Sequence, residues 1–211
     1  MKKSIVLLIS LFFIAALSIL VLKNLDDTNS YLEEQNSRFN KVQTLVLIEN
    51  LQKQISDIFM NYEDKIESIL ESQLQEYFPL KIENINMYFK ILPYEKIDIN
   101  KLLSKNETER KEINKFFEDN DVYNTSVIKD LLVLKNVEKI ISNKQLDDII
   151  DSFIKETYDD RILDIKDEIG FLSDEKLYEL FIKVDFLNEF VKAYYVLNKK
   201  GEVRYFELSF K

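Results

Sequence analysis

Residues 5–22 read IVLLISLFFIAALSILVL, uncharged throughout, between Met1-Lys2-Lys3-Ser4 and Lys23-Asn24-Leu25-Asp26-Asp27. As a helix rising about 1.5 Å per residue, the run is long enough to cross a hydrocarbon core of about 30 Å. Lysines before it and aspartates after it hold the N-terminus in the cytoplasm and send the rest of the chain across the membrane. No proline or glycine occurs between Met1 and Phe78, so nothing there is chosen to break a helix. The membrane helix is therefore expected to run on as an amphipathic helix outside. Ala16-Leu17-Ser18 also offers the small-residue spacing of an export-signal cut. That cut would leave Ile19–Leu22 as a greasy new end. On this stretch alone, a cleaved signal and a permanent anchor both stay open.

Composition narrows the chemistry. The 211 residues include no cysteine, histidine or tryptophan, and only two glycines and two prolines. Without cysteine there is no disulfide framework and no thiolate chemistry. Without cysteine and histidine, the usual zinc and transition-metal sites are excluded, as is a histidine-based triad. The formal net charge of −9 argues against a nucleic-acid partner, because phosphate binding needs a basic face.

From Leu25 to Leu74 apolar residues recur at three- and four-residue steps, among them Leu32, Phe39, Val42, Val46, Leu51, Ile55, Phe59, Tyr62 and Ile66. They read as one helical stripe. A coiled-coil stalk is the plain alternative. The looser spacing favours a single helix whose stripe packs on its own domain, with a bend near Phe59–Glu63. Unbroken from Ile5 to Phe59, that helix would be about 80 Å long. Pro79 is expected to end the helical region.

Ile82–Pro93 reads as a strand with Ile85, Met87, Phe89 and Ile91 on one face. Tyr94 to Tyr178 reads as short helices at 101–104, 107–119, 126–134, 137–141 and 144–157. Another is expected from Asp174 to Lys183. Ser126, Asn143 and Ser173 supply helix-start signals. Val191–Leu197 and Glu202–Phe210 alternate around Asn198-Lys-Lys-Gly201, a hairpin with glycine late in its turn. Phe206, Leu208 and Phe210 share its greasy face. The fold class is α+β and pilin-like: a long N-terminal α-helix packed on a small antiparallel sheet, with an all-helical insertion. Its boundaries fall at 1–4 for a leader-like segment and 5–22 for the membrane or filament-core helix. The extended helix and first strand take 23–93, the helical insertion 94–183 and the C-terminal hairpin 184–211.

In this order of elements the chain resembles the K-type minor pseudopilins of type II secretion systems, the large subunits at the filament tip. Lys3-Ser-Ile-Val-Leu-Leu-Ile-Ser-Leu-Phe-Phe-Ile-Ala-Ala-Leu-Ser18 looks like that family's N-terminus after the leader. Lys96-Ile-Asp-Ile-Asn-Lys-Leu102 resembles the motif that opens its helical domain. Ile149-Ile-Asp-Ser-Phe-Ile-Lys-Glu-Thr-Tyr-Asp-Asp160 resembles a later segment, with Phe153 where tryptophan is usual. Phe171-Leu-Ser-Asp-Glu-Lys-Leu177 resembles a helix start. The resemblance implies processing between Ser4 and Ile5, with Ser4 standing where the family carries glycine. It implies that Ile5, Ile9, Phe12, Phe13 and Ala16 pack in a filament-core helix bundle. Ile9 would be the fifth mature residue, where most pilins carry glutamate and the K type does not. A tip subunit has no neighbour above to pair a buried carboxylate, and an unpaired one is costly.

The expected role is assembly of a type II secretion, type IV pilus or DNA-uptake filament, with no catalytic residues. The expected partners are other minor pilins or pseudopilins and the inner-membrane secretion machinery. The expected location is a bacterial inner membrane, single-pass, with the C-terminal domain periplasmic. No cofactor is implied. Asp159, Asp160 and Asp164 are the candidate metal ligands, and their hard oxygens would suit calcium. No Asp-x-Asp-x-Asp-Gly loop accompanies them, and a solvated acidic surface is the plain reading. Two other classes stay open: a bitopic inner-membrane assembly component, and an extracytoplasmic sensing domain, which needs a pocket with convergent polar groups.

Overall fold

The proline- and glycine-free N-terminal region forms one helix, α1, Lys2–Asn61. A computed structural model describes residues 2–62, 76–82, 85–135, 138–173, 176–187 and 189–210, with side chains from Leu17 onward. The helix stops where a bend was expected, and the continuation to Leu74 lies outside the described residues. The architecture is α+β, a long N-terminal helix with an antiparallel sheet. The chain divides into two compact units, residues 1–92 with 180–211, and Pro93–Glu179.

In the first unit, strands β1 (Phe78–Ile82) and β2 (Ile85–Pro93) pair antiparallel. Pro79 does not end a helix; it sits in β1, opposite Tyr88. Because β1 is the sheet edge, its missing N–H costs no ladder bond. The insertion contributes β3 and β4, described below. Strands β5 (Leu177–Phe186), β6 (Glu189–Asn198) and β7 (Val203–Phe210) complete a five-stranded sheet of order β1-β2-β5-β6-β7. The helix expected from Asp174 to Lys183 is therefore corrected to a strand from Leu177 onward, Asp174 and Glu175 lying outside the described residues. Leu177, Tyr178, Leu180, Ile182 and Val184 are all buried. Apolar residues stand on both faces of β5, Leu177 and Phe181 opposite Leu180, Ile182 and Val184, so its spacing passes for a helical one.

The β6–β7 hairpin forms as read, with Tyr195 opposite Phe206 and a register shift between Val196 and Leu197. Gly201 closes its turn at φ +77°. The far half of α1 lies over β6. Glu189, at the start of β6, accepts from Ser37 and pairs with Lys41 at 3.7 Å. At the other end, Ser56 Oγ donates to the Gly201 carbonyl at 2.6 Å. Helix and strand thus run in the same direction. Thr44, Ile48, Leu51, Ile55 and Phe59 are buried on this side of α1. β7 is less well covered, and Phe206 and Phe210 stay exposed.

The second unit is mostly but not entirely helical. A parallel pair, β3 (Ile97–Asp98) and β4 (Ile169–Gly170), opens and closes it. Between them lie a 3-10 turn at Ile99–Leu103 and helices α2 (Glu107–Asp119), α3 (Thr125–Leu134) and α4 (Asn143–Thr157). Ile113, Phe117, Ile128, Leu132, Ile149, Ile150 and Phe153 form the core. Two helix starts differ from expectation. Ser126 lies inside α3, which begins after Asn124. Ser142, not Asn143, caps α4 by accepting from the Gln145 N–H. Residues 138–141 form no helix.

Candidate assembly surface on the long helix

The side chain that organises the second unit is Asn100. Its amide nitrogen donates to the carbonyls of Ile140 and Phe171, each at 3.1 Å, and its oxygen accepts from the Ile140 N–H at 2.7 Å. Asp98 sets up the turn by accepting from the Asn100 N–H at 2.9 Å. The Lys96–Leu102 segment is thus structural, tying distant pieces of chain together by hydrogen bonds.

A polar cleft of about 430 Å³ lies beside this turn, lined by Tyr94, Glu95, Lys96, Asp98, Lys101 and Glu112 among others. Both its lysines are paired within the chain, Lys96 with buried Glu179 at 3.2 Å and Lys101 with Glu112 at 3.0 Å. Tyr94 Oη accepts the Phe171 N–H. Burial pushes the Tyr94 phenol up to about 12, against the pull of the backbone N–H groups of Leu172 and Phe171. A Cβ added to Gly170 would meet that hydroxyl at 2.0 Å. The sequence singled out the Lys96–Leu102 segment, but not Tyr94, Gly170 or Glu179, which join it only through β3, β4 and β5.

The three candidate metal ligands are not brought together. Asp159 is gripped by Arg161 through Nε at 2.8 Å and Nη2 at 2.6 Å, and that fork holds its carboxyl below the usual carboxylate range. Asp160 and Asp164 flank a 3-10 turn at Arg161–Leu163 and are exposed. Among the described residues no group of three acidic side chains is placed to hold a metal ion.

On the outer sheet of the first unit, Lys183 Nζ stands 3.7 Å from the centre of the Tyr77 ring, and Lys90 lies near both Tyr77 and Phe181. Phe181, Tyr194 and Tyr205 continue this row across three strands. Such cross-strand pairs stabilise the sheet face.

The surface most open to a partner is on α1. Ser4, Ile5, Ile9, Phe12, Phe13 and Ala16 all lie on this helix, and their side chains are outside the described residues. Among the described residues no helix is long and apolar enough to cross a membrane. From Leu17 onward the exposure is clear. Leu17, Ile19, Leu20, Val21 and Leu22 are exposed, and so are Leu25, Leu32, Phe39, Val42 and Val46, with Phe39 at 62%. The single stripe read from the sequence is therefore two stripes. At about 100° per residue, Thr44, Ile48, Leu51, Ile55 and Phe59 cluster half a turn away from Leu25, Leu32, Phe39, Val42 and Val46. The first set meets the chain's own sheet; the second set faces outward. The sequence signal for the split was the seven-residue step from Leu25 to Leu32 to Phe39 to Val46.

No family model, no curated protein and no solved structure matches the chain.

Proposed function

We propose that the protein is a membrane-inserted, pilin-like subunit that works by assembly, at or near the tip of a type II secretion, type IV pilus or DNA-uptake filament. One observation carries the reading. A single helix presents exposed apolar side chains along its first described half and anchors its far half on an antiparallel sheet. Apolar surface of that extent on one helix calls for a bilayer or for other helices to cover it. The uncharged run Ile5–Leu22 supplies the membrane segment, and the Ser4–Ile5 bond is the processing site. Other minor pilins and the inner-membrane machinery are the partners, and the outer units are periplasmic.

The mass of the N-terminal peptide tests this, on protein taken from its native membranes. Loss of Met1–Ser4 with a methyl group added to Ile5 supports the pilin-like subunit. An intact Met1 removes it in favour of a bitopic assembly component. A start at Ile19 removes both.

A further inference from the structure

We infer that the outward stripe of α1 is a coiled-coil seam that takes a second copy of this chain, parallel and in register. Placing Val46 at heptad position a puts Leu25, Leu32 and Phe39 at a as well, with Thr28, Gln35 and Val42 at d. Three successive heptads carry this pattern. The apolar a residues and Val42 are exposed along their whole length. Read backwards, the same register falls on Val21, Ser18, Ile14 and Leu11 in the uncharged run, so the seam continues with one small polar residue towards the proposed membrane segment. It ends at Glu49 and Lys53, where the opposite side of the helix is already committed to the sheet. Ser30, Ser37, Thr44 and Leu51 take position f, opposite the seam, so the sheet that α1 covers does not obstruct it.

Charge selects the occupant. With a net charge of −9, two copies repel wherever acids face each other. The acids of this region, Asp26, Asp27, Glu33 and Glu34, fall at b and c, away from the seam. Position e holds Asn29, Asn36, Gln43 and Asn50; position g holds Tyr31, Arg38 and Leu45. In a parallel pair g faces the next e of the partner. The facing pairs are then Tyr31 with Asn36, Arg38 with Gln43, and Leu45 with Asn50, none of them like-charged. Arg38 is already neutralised by Glu34 on its own helix, at 2.6 Å. A dedicated foreign partner is usually selected by charges at e and g, and this seam carries almost none. Thr28 and Gln35 pair with their own counterparts only when the two helices are in register. The parallel sense rests on the membrane insertion proposed above; the seam itself does not.

The chain has no cysteine, so single cysteines report contacts without background. In full-length protein oxidised with copper phenanthroline in its own membranes, Leu25→Cys and Phe39→Cys should each shift to a covalent homodimer. Ser30→Cys, at f, should stay monomeric. All three positions are exposed in the single chain, so none is expected to disturb its folding. Self-linking at both Leu25 and Phe39 requires a parallel pair, since an antiparallel one brings a residue to its own copy only near the axis. Monomer throughout, equal linking at all three sites, or linking only to a different protein overturns the inference. The N-terminal mass, read on the same material, separates the two claims. A processed Ile5 without dimer sinks the seam alone, and dimer with an intact Met1 sinks the pilin reading alone.

Discussion

At the residue scale, two polar side chains carry more than their surroundings suggest. Asn100 both donates and accepts, so no isosteric replacement keeps all three of its bonds to Ile140 and Phe171. Asn100→Ala should cost about 3 kcal/mol, since it strips several hydrogen bonds and strands partly buried backbone groups. Asn100→Asp keeps the acceptor but turns a charged oxygen towards the two carbonyls that the amide nitrogen satisfied, and should cost at least as much at neutral pH. Urea denaturation of both variants checks the order. Asp159 makes a second prediction, in pH. Its folded value lies below the ordinary 3.8 because Arg161 hydrogen-bonds the charged form. A depressed carboxylate stabilises above its unfolded pKa and loses that contribution as pH falls through the folded value. Asp159→Asn should therefore lower the urea midpoint slightly at pH 6, as expected for a pair of which Arg161 stays solvent-exposed. The gap to the unmodified protein should close as the pH drops below 3.8. A gap that stays constant down to acid would mean the pair contributes nothing through charge.

At the scale of elements, the two sides of α1 meet different fates. Ile55 is 4% exposed and Phe39 is 62% exposed on the same helix. Ile55→Ala should destabilise the first unit by about 2–5 kcal/mol through lost burial and the cavity left behind. Phe39→Ala should leave the melting temperature of monomeric protein within error, because nothing in its own chain covers it. Equal losses at both positions would erase the distinction between the two stripes. The hairpin turn gives a sharper test. A Cβ on Gly201 would meet the Ser56 carbonyl oxygen at 2.5 Å and its Cα at 2.8 Å, on a backbone already at φ +77°. Gly201→Ala should cost about 2–4 kcal/mol, combining left-handed strain with overpacking against backbone. These elements also show what the sequence made legible. α1 and the β6–β7 hairpin declared themselves, one by the absence of breakers up to Phe78, the other by alternation around Gly201. β1 hid behind Pro79, since a proline marks a helix end and an edge strand equally well. β5 hid because Leu177 and Phe181 add apolar residues to the face opposite Leu180, Ile182 and Val184, and Ser173-Asp174-Glu175 mimicked a helix start. The seven-residue step from Leu25 to Val46 signals a second stripe on α1, but spacing does not say which stripe meets the sheet. Which apolar residues meet the sheet depends on where the hairpin lands, and Glu189 and Gly201 fix that from far along the chain.

At the scale of the whole molecule, the second unit is an insertion with adjoining ends. The chain leaves the sheet at Pro93 and returns at Leu177, and the Tyr94 N–H donates to the Leu177 carbonyl at 2.9 Å. β2 and β5 are neighbours in the sheet, so the end of one meets the start of the other, as in a hairpin. Two such ends can be joined by a two-residue turn, and insertions entering at adjoining ends leave the host core intact. Replacing residues 95–176 by Asn-Gly should thus leave the first unit folded on its own. Glu179 loses Lys96 in this variant, so Glu179→Thr belongs in it to avoid stranding a buried carboxylate. The expected result is a cooperative melt in which Gly201→Ala costs as much as it does in the full chain. The complementary measurement is hydrogen exchange on the intact protein. Asn100→Ala should deprotect the amide of Ile140, which loses its acceptor, while leaving those of β6 slow, because the chain divides into two compact units. Deprotection that spread to Val191, Ala193 and Leu197 would mean that one cooperative core runs through both units, and the excised chain would then be expected to collapse without a defined melt.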